Sequence, residues 1–354
     1  MRILHVITSL LTGGAEKLMV DLLPELNALG NEVELLIFNG EQTPFYIQLV
    51  DRGIKIHHLQ TNGNVYNPLN IFRMMKYMNK FDIIHTHNTA CQLYAPIAKI
   101  LLFSKAKLVT TEHSSNNRRR NKKILYLIDK WMYGRYNKVI CISDQTASNL
   151  ISYIGTQNNI TTIYNGVNTR KFINPVTPIK NPKNIIITMV AGFRVGKDQD
   201  TLIRAMKLLP DQYHLQLVGD GVRRPEIEGL IHEYSLETRV KLLGIRNDIP
   251  DILKDSDIIV LSSHWEGLSL SNIEGMASGK PFIASDVDGL REIVKGNGIL
   301  FPDNDDKALA EAIITVCNDE DKYISIARRC QEKAKQYDIS IMAEKYNNLY
   351  QSLK

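Results

Sequence analysis

Short apolar runs of strand length alternate along the chain with amphipathic stretches of ten or more residues, and this alternation constrains the fold more than any other feature. ILHVI (3–7), EVELLIF (32–38), FDIIHTH (81–87), KLVTT (107–111), NKVICIS (137–143) and NITTIY (159–164) form one series. NIIITMV (184–190), YHLQLVG (213–219), RVKLLG (239–244), DIIVLS (257–262) and KPFIAS (280–285) form a second. Strands alternating with helices predict parallel sheets wrapped on both faces, hence an α/β protein. The alternation breaks once, at NPVTPIKNPKN (174–184), which holds three prolines and no apolar period. It reads as a linker. The expected organisation is an α/β domain over 1–173, the linker at 174–184, a second α/β domain over 185–336, and a helix over 337–354 crossing back to the first domain. Ligands of such sheets sit at the carboxyl ends of the strands, so a cleft between the halves is the expected site.

Composition narrows the class. At 354 residues, 44% hydrophobic and 23% charged, the chain is an ordinary globular one, long enough for two cores. Cys91, Cys141, Cys317 and Cys330 show no paired spacing, which suits a reducing cytosol and argues against a zinc knuckle. No apolar run reaches bilayer length. MRILHVITSLLTGG lacks a small-residue cleavage site and reads as a buried first strand rather than a signal peptide. The net charge of +5 is uneven, with Lys and Arg in excess over 1–172 and Asp and Glu in excess after it. A basic first half suggests an anionic partner such as a membrane surface or acidic acceptor.

Three loops follow strands and carry phosphate-handling chemistry. Gly13-Gly14 precedes a helix start, where unpaired N–H groups and a partial positive charge favour an anion. A glycine there also serves simple turn geometry. The GxGxxG fingerprint is absent, which counts against a nicotinamide enzyme. AGFRVGKDQDTL (191–202) sets Arg194 and Lys197 at a strand's carboxyl end, where the two cations can neutralise a diphosphate. GDGVRR (219–224) is a third glycine-bearing loop.

EGLSLSNIEGMASG (266–279) holds Glu266 and Glu274, eight residues apart. Eight residues of helix rise about 12 Å, beyond the roughly 5–9.5 Å of a glycosidase pair. Ser271-Asn-Ile-Glu274 fits a capping box with Ser271 as N-cap and Glu274 at N3, and Gly279 ends the helix. Alternatively both carboxylates face the cleft and grip the vicinal diols of a hydroxyl-rich ligand.

Taken in order, GGAE (13–16), HTH (85–87), TEH (111–113), YNGV (164–167), LVGDG (217–221) and EGLSLSNIEGMASGKPFIASDVDGLREIV (266–294) resemble the retaining glycosyltransferases of family 4, over nearly the whole chain. The resemblance implies the GT-B fold of two facing Rossmann-like domains with an interdomain cleft. It implies transfer of a sugar from a nucleoside-diphosphate sugar, UDP or GDP type, to a glycan or lipid-linked acceptor. The setting would be cell-envelope polysaccharide synthesis. No other cofactor and no metal are implied. Glu274 would hold the ribose, and Glu266 the donor sugar, with Gly267, Leu268 and Ser269 touching sugar or phosphate. Gly13 and Gly14 would approach the donor phosphate, Gly244 and Ile245 the base, His113 the reacting face of the sugar, and Lys197 the diphosphate. The family usually carries Arg where this chain has Gly192, so Arg194 is the candidate to replace it. Domain closure and front-face substitution, with the leaving phosphate taking the acceptor's proton, would follow. His85 and His87 alternate on a strand end, a poor metal signal.

RRRNKK (118–123) could hold anionic lipid, which fits a cytoplasmic enzyme peripheral at the membrane's inner face. Ile124, Leu125, Leu127, Ile128, Trp131 and Met132 follow at helical spacing and read mostly as core. No nucleic-acid partner is expected. The rival readings are a nucleotide-sugar epimerase on the same fold and a non-catalytic nucleotide-sugar binding module.

Overall fold

A computed structural model describes residues 1–11, 13–60, 63–113, 123–155 and 158–354. The chain divides into two compact units, 1–166 with 339–354, and 167–338. The division falls before the expected boundary at 173, and the proline-rich segment 174–184 belongs to the second unit.

Unit 1 holds a seven-stranded parallel sheet. Its strands are β1 (Arg2–Ile7), β2 (Glu32–Asn39), β3 (Lys55–Gln60), β4 (Ile83–His87), β5 (Lys107–Glu112), β6 (Lys138–Cys141) and β7 (Ile160–Thr162). They lie in the order β3-β2-β1-β4-β5-β6-β7. The helices are α1 (Gly14–Ala28), α2 (Pro44–Asp51), α3 (Leu69–Met78), α4 (Thr89–Leu101), α5 (Lys123–Tyr133) and α6 (Asp144–Ile154). The sequence pattern missed β3. It is an edge strand with the half-exposed run KIHHLQ, too weakly apolar to stand out.

Unit 2 repeats the scheme with six strands, all parallel: β8 (Ile185–Val190), β9 (Tyr213–Val218), β10 (Val240–Gly244), β11 (Ile258–Leu261), β12 (Phe282–Ser285) and β13 (Ile299–Phe301). Their order is β10-β9-β8-β11-β12-β13. Around them lie α7 (Gln199–Leu208), α8 (Arg224–Glu233), α9 (Ile249–Asp255), α10 (Leu270–Ala277), α11 (Arg291–Val294), α12 (Asp306–Cys317) and α13 (Glu320–Lys335). The three-residue β13 is too short to read as a period.

In each unit the first strand lies between strands reached by connections in opposite directions, β2 and β4 about β1, and β9 and β11 about β8. Such a switch point leaves a crevice at the strands' carboxyl ends, because the connecting helices leave to opposite faces. The central strands are buried on both faces, as Ile3, Leu4, Val6, Ile7, Ile83 and Ile84 are in unit 1. This explains their near-continuous apolar runs.

The final helix, α14 (Ile339–Gln351), packs against unit 1. Its Ile339, Met342, Ala343, Tyr346 and Tyr350 join the core cluster that includes Leu18, Leu22 and Leu26 of α1. On α5, Met132 is buried, but Leu127, Ile128 and Trp131 lie on the surface. The expectation that this stripe is mostly core is corrected: the helix is amphipathic, yet part of its apolar side meets solvent. The basic run expected to meet membrane falls at 118–122, outside the described residues, and nothing is described of Lys123's side chain.

Candidate active site

In unit 2 the loops after β8, β9 and β10 pack closely enough to require glycine. Gly219 has φ +135°, and a Cβ there would lie 2.1 Å from the Ala191 carbonyl oxygen. Gly221 would place one 2.3 Å from the Phe193 oxygen. Phe193 N–H donates to Asp220 O at 2.9 Å, and Gly219 N–H to Gly244 O at 2.8 Å. The glycines of GDG are therefore explained by one backbone crossing another. Their two arginines are held in ion pairs. Arg223 grips both oxygens of Asp200 at 3.0 and 2.7 Å, and Arg224 pairs with Asp220 and Glu228.

Lys197 is positioned differently. It forms a short antiparallel bridge with Ser263. Asp198 N–H donates to Ser262 O at 3.0 Å and His264 N–H to Gly196 O at 3.0 Å. The segment after β8 is thereby laid along the segment after β11. This brings the Lys197 ammonium onto Glu266 Oε1, which also accepts from Ser263 Oγ at 2.9 Å. Both side chains of the pair are mostly buried. Ser263 is fixed in turn by Ser285, whose hydroxyl accepts from Ser263 N–H and donates to its carbonyl. Gly289 (φ +84°) lets the next turn press on the glutamate: a Cβ there would lie 2.3 Å from Gly267 O and 2.5 Å from Glu266 O. The pair thus stands as a preset cation and carboxylate at the carboxyl end of the sheet.

Helix α10 begins one turn from Glu266. Its N-cap is Ser269, with no side-chain capping bond, and this corrects the expected cap at Ser271. Ser271 lies inside the helix, and Glu274 falls in the second turn rather than at N3. The capping-box reading of Glu274 therefore fails. Glu274 is buried on α10, and Gly279 (φ +78°) follows the helix end as expected. The N–H groups at the start of α10, which the Ser269 side chain does not cap, are the kind that bind phosphate. Leu268 is buried, while Gly267 and Ser269 are partly exposed around it. Gly244 adopts φ +67° at the end of β10, and Ile245 beside it is exposed. Arg194 folds back: a Cβ on Gly192 would lie 3.0 Å from Arg194 Nε and 3.3 Å from its terminal nitrogen. The missing side chain at 192 is the space its guanidinium uses.

In unit 1, Gly13 is the N-cap of α1, extended at φ −176°. The Glu16 carboxylate folds over it, 2.2 Å from where a Cβ would be, while Gly14 has open space. His113 follows β5, half-buried. Its Nε2 lies 2.9 Å from His87 Nδ1, and His87 Nε2 lies 3.0 Å from His5 Nδ1. Burial pushes the pKa of His5 down to about 3 and that of His113 to about 4. Burial, with neighbouring imidazoles adding repulsion, holds His85 and His87 well below the usual range. All four are neutral at pH 7.

Residues 12–171 match the family model described as "Glycosyltransferase Family 4", and residues 170–337 match "Glycosyl transferases group 1". The chain belongs to glycosyltransferase family 4. This glycosyltransferase is 28% identical over 307 residues to the UDP-Gal:alpha-D-GlcNAc-diphosphoundecaprenol alpha-1,3-galactosyltransferase of Escherichia coli, covering 80% of this chain and 78% of that one. It is 25% identical over 355 residues to the N,N'-diacetylbacillosaminyl-diphospho-undecaprenol alpha-1,3-N-acetylgalactosaminyltransferase of Campylobacter jejuni, covering 93% and 94%. The crystal structure of Anabaena HepE in complex with UDP superposes with a TM-score of 0.86 at 23% identity, over 99% of this chain and 100% of that one. The fold of the enzyme is GT-B.

Among the described residues, two clusters could be taken for metal sites. The ring nitrogens of His5, His85 and His87 approach one another, but each already faces a hydrogen-bond partner. Asp198, His264 and Asp303 also converge, and two carboxylates with an imidazole form a donor set that suits a divalent cation. The sequence reading of the glycosyltransferase named Lys197, Glu266 and His113, but missed Ser263, Ser285 and Gly289, which hold the unit 2 pair in place. It also missed His5, Tyr346 and Tyr350, which stand behind His113. The only signal for these was a polar residue inside an apolar run, as in ILHVI.

Proposed function

We propose that the enzyme is a retaining glycosyltransferase that takes its sugar from a UDP-sugar and delivers it to a hydroxyl of a lipid-diphosphate-linked glycan in cell-envelope polysaccharide synthesis. The Lys197–Glu266 pair beside the start of α10 carries this reading. A donor needs a cation and N–H groups for its pyrophosphate and a carboxylate for its sugar hydroxyls, and these stand together within unit 2. Glu274 is assigned to the ribose, Gly244 and Ile245 to the base, and Gly267, Leu268 and Ser269 to sugar or phosphate. In unit 1, Gly13 and Gly14 are assigned to phosphate and His113 to the reacting face of the sugar. The Escherichia coli and Campylobacter jejuni relatives are named for diphosphoundecaprenol acceptors, and the former for a UDP donor. Those names support the choice of donor and acceptor class. Exposed Leu127, Ile128 and Trp131 on α5 favour a lipid-facing enzyme.

The anomeric C–O bond breaks with its electron pair moving to the leaving phosphate oxygen. Lys197, with Arg194 folded over Gly192, stabilises the charge that grows there. The acceptor hydroxyl attacks from the same face and gives its proton to that phosphate. Thermal shift against UDP-, GDP- and ADP-sugars tests the donor, since a tight ligand raises apparent stability by mass action. A shift with UDP-sugars, followed by acceptor-dependent release of UDP, is the expected result. No shift with any nucleotide sugar would defeat the reading.

A further inference from the structure

Behind His113 lies an unbroken line of hydrogen bonds within unit 1. Tyr346 Oη is 3.0 Å from Thr111 Oγ1, and Thr111 Oγ1 is 2.8 Å from His85 Nε2. His85 Nδ1 is 2.5 Å from Tyr350 Oη, and Tyr350 Oη is 3.3 Å from His5 Nε2. His5 Nδ1 then meets His87 Nε2, and His87 Nδ1 meets His113 Nε2. Every member except His113 is fully buried.

Each neutral imidazole carries one hydrogen, as does each hydroxyl. Seven groups therefore bring seven hydrogens to six gaps, and one hydrogen has to leave the line. Tyr346 Oη has no other hydrogen-bond partner among the described residues and is buried, so an outward hydrogen there is stranded without an acceptor. A donor left unpaired midway is equally costly. The remaining exit is Nδ1 of His113, at the half-buried end. Tyr346 then donates to Thr111, Thr111 to His85 Nε2, His85 Nδ1–H to Tyr350, Tyr350 to His5 Nε2, His5 Nδ1–H to His87, and His87 Nδ1–H to His113 Nε2. All four rings take the Nδ1–H form, the less common one for free histidine.

We propose that this single-exit array fixes His113 as a neutral hydrogen-bond donor through Nδ1–H, aimed at an oxygen of the bound substrate, rather than as a general base. His5, His85, His87, Tyr346 and Tyr350 act on that donor as positioning residues. The tautomer rests on the geometry alone; its use on the sugar rests on the function proposed above.

Long-range proton–nitrogen correlation spectra of the full chain, labelled with 15N-histidine and assigned by single substitutions, test the array. In the wild type His5, His85, His87 and His113 are expected as Nδ1–H by about ten to one or more, the ratio set by an ordinary unpaired buried donor. An Nε2–H signal at His113 overturns the proposal, without any variant being needed. His5→Asp places an acceptor-only oxygen where Nδ1 stood, so His87 has to donate inward and His113 should switch to Nε2–H or become protonated. His5→Asn, which can accept or donate, should retain Nδ1–H at His113. If His5→Asp leaves His113 in the Nδ1–H form, the coupling along the line is refuted. With the switch confirmed, kcat for His5→Asp is expected about tenfold below that of His5→Asn at unchanged donor KM. Equal kcat values would remove His113 from the sugar while leaving its tautomer established.

Discussion

The two units place chemically opposite groups at equivalent points of one architecture. Along β1 and β4 and just past β5 in unit 1, the chain gathers four neutral imidazoles with hydroxyls between them. Where β8 and β11 end in unit 2, it gathers an ammonium on a carboxylate, with glycine turns pressed around them. Unit 1 keeps its groups uncharged by burying them, and unit 2 keeps its charges by pairing them. A parallel sheet with a switch point thus offers a location, and the residues after each strand decide whether it becomes a donor array or a charge clamp.

Acid should separate the units most strongly. A histidine whose folded pKa is depressed contributes stability that is complete above its unfolded value near 6.5 and is lost as pH falls towards the folded value. For His5, held at about 3, that is roughly 2 kcal/mol lost at pH 5, and His85, His87 and His113 add to it in the same direction. Among the described residues, unit 2 has no buried imidazole. Hydrogen exchange followed between pH 7.5 and 5 should therefore show unit 1 opening first, and equal loss of protection in both units would break the contrast.

Lys197→Ala should lower kcat by about 10²–10³ by removing a cation from the leaving phosphate, with a smaller change in donor affinity. Single-turnover kinetics separate the two, and a loss confined to KM would recast Lys197 as a binding group only. Glu266, losing its partner, becomes a buried unpaired carboxylate, so melting should also fall.

The glycines sharpen the comparison. Gly219→Ala sets a Cβ 2.1 Å from a carbonyl oxygen at φ +135° and should destabilise unit 2 by about 2–3 kcal/mol. Gly14→Ala meets open space at the start of α1 and should be neutral or stabilise by up to about 1 kcal/mol. Denaturant midpoints of both variants decide this, and a large loss at Gly14 would mean its turn is built differently.

The smallest effect is expected at Asn272 on α10, where both side-chain polar atoms are buried without a partner among the described residues. Asn272→Leu should raise stability by about 1 kcal/mol, because it removes groups that lost water and gained nothing. An unchanged or lower melting temperature would show that the amide is satisfied.

Much of this was legible in the sequence. Period and punctuation located eleven of the thirteen strands among the described residues, and the two misses, β3 and β13, are a half-polar edge and a three-residue stub. The motif at 266–294 led to Lys197's partner Glu266 and to α10, but its helix start was misjudged by two residues. Ser271 satisfies the capping spacing as well as Ser269 begins the helix, and only the backbone chooses between them.

Alternation of apolar and amphipathic segments determined by itself that this chain forms parallel sheets, because side-chain burial and strand periodicity are local properties carried by neighbouring residues. The tertiary structure alone decided which polar groups meet. Thr111, His85 and His5 lie on three strands, and Tyr346 and Tyr350 on a helix more than two hundred residues further on. Their hydrogen bonds arise only when α14 packs onto unit 1, since a hydrogen bond depends on distances that no local pattern encodes.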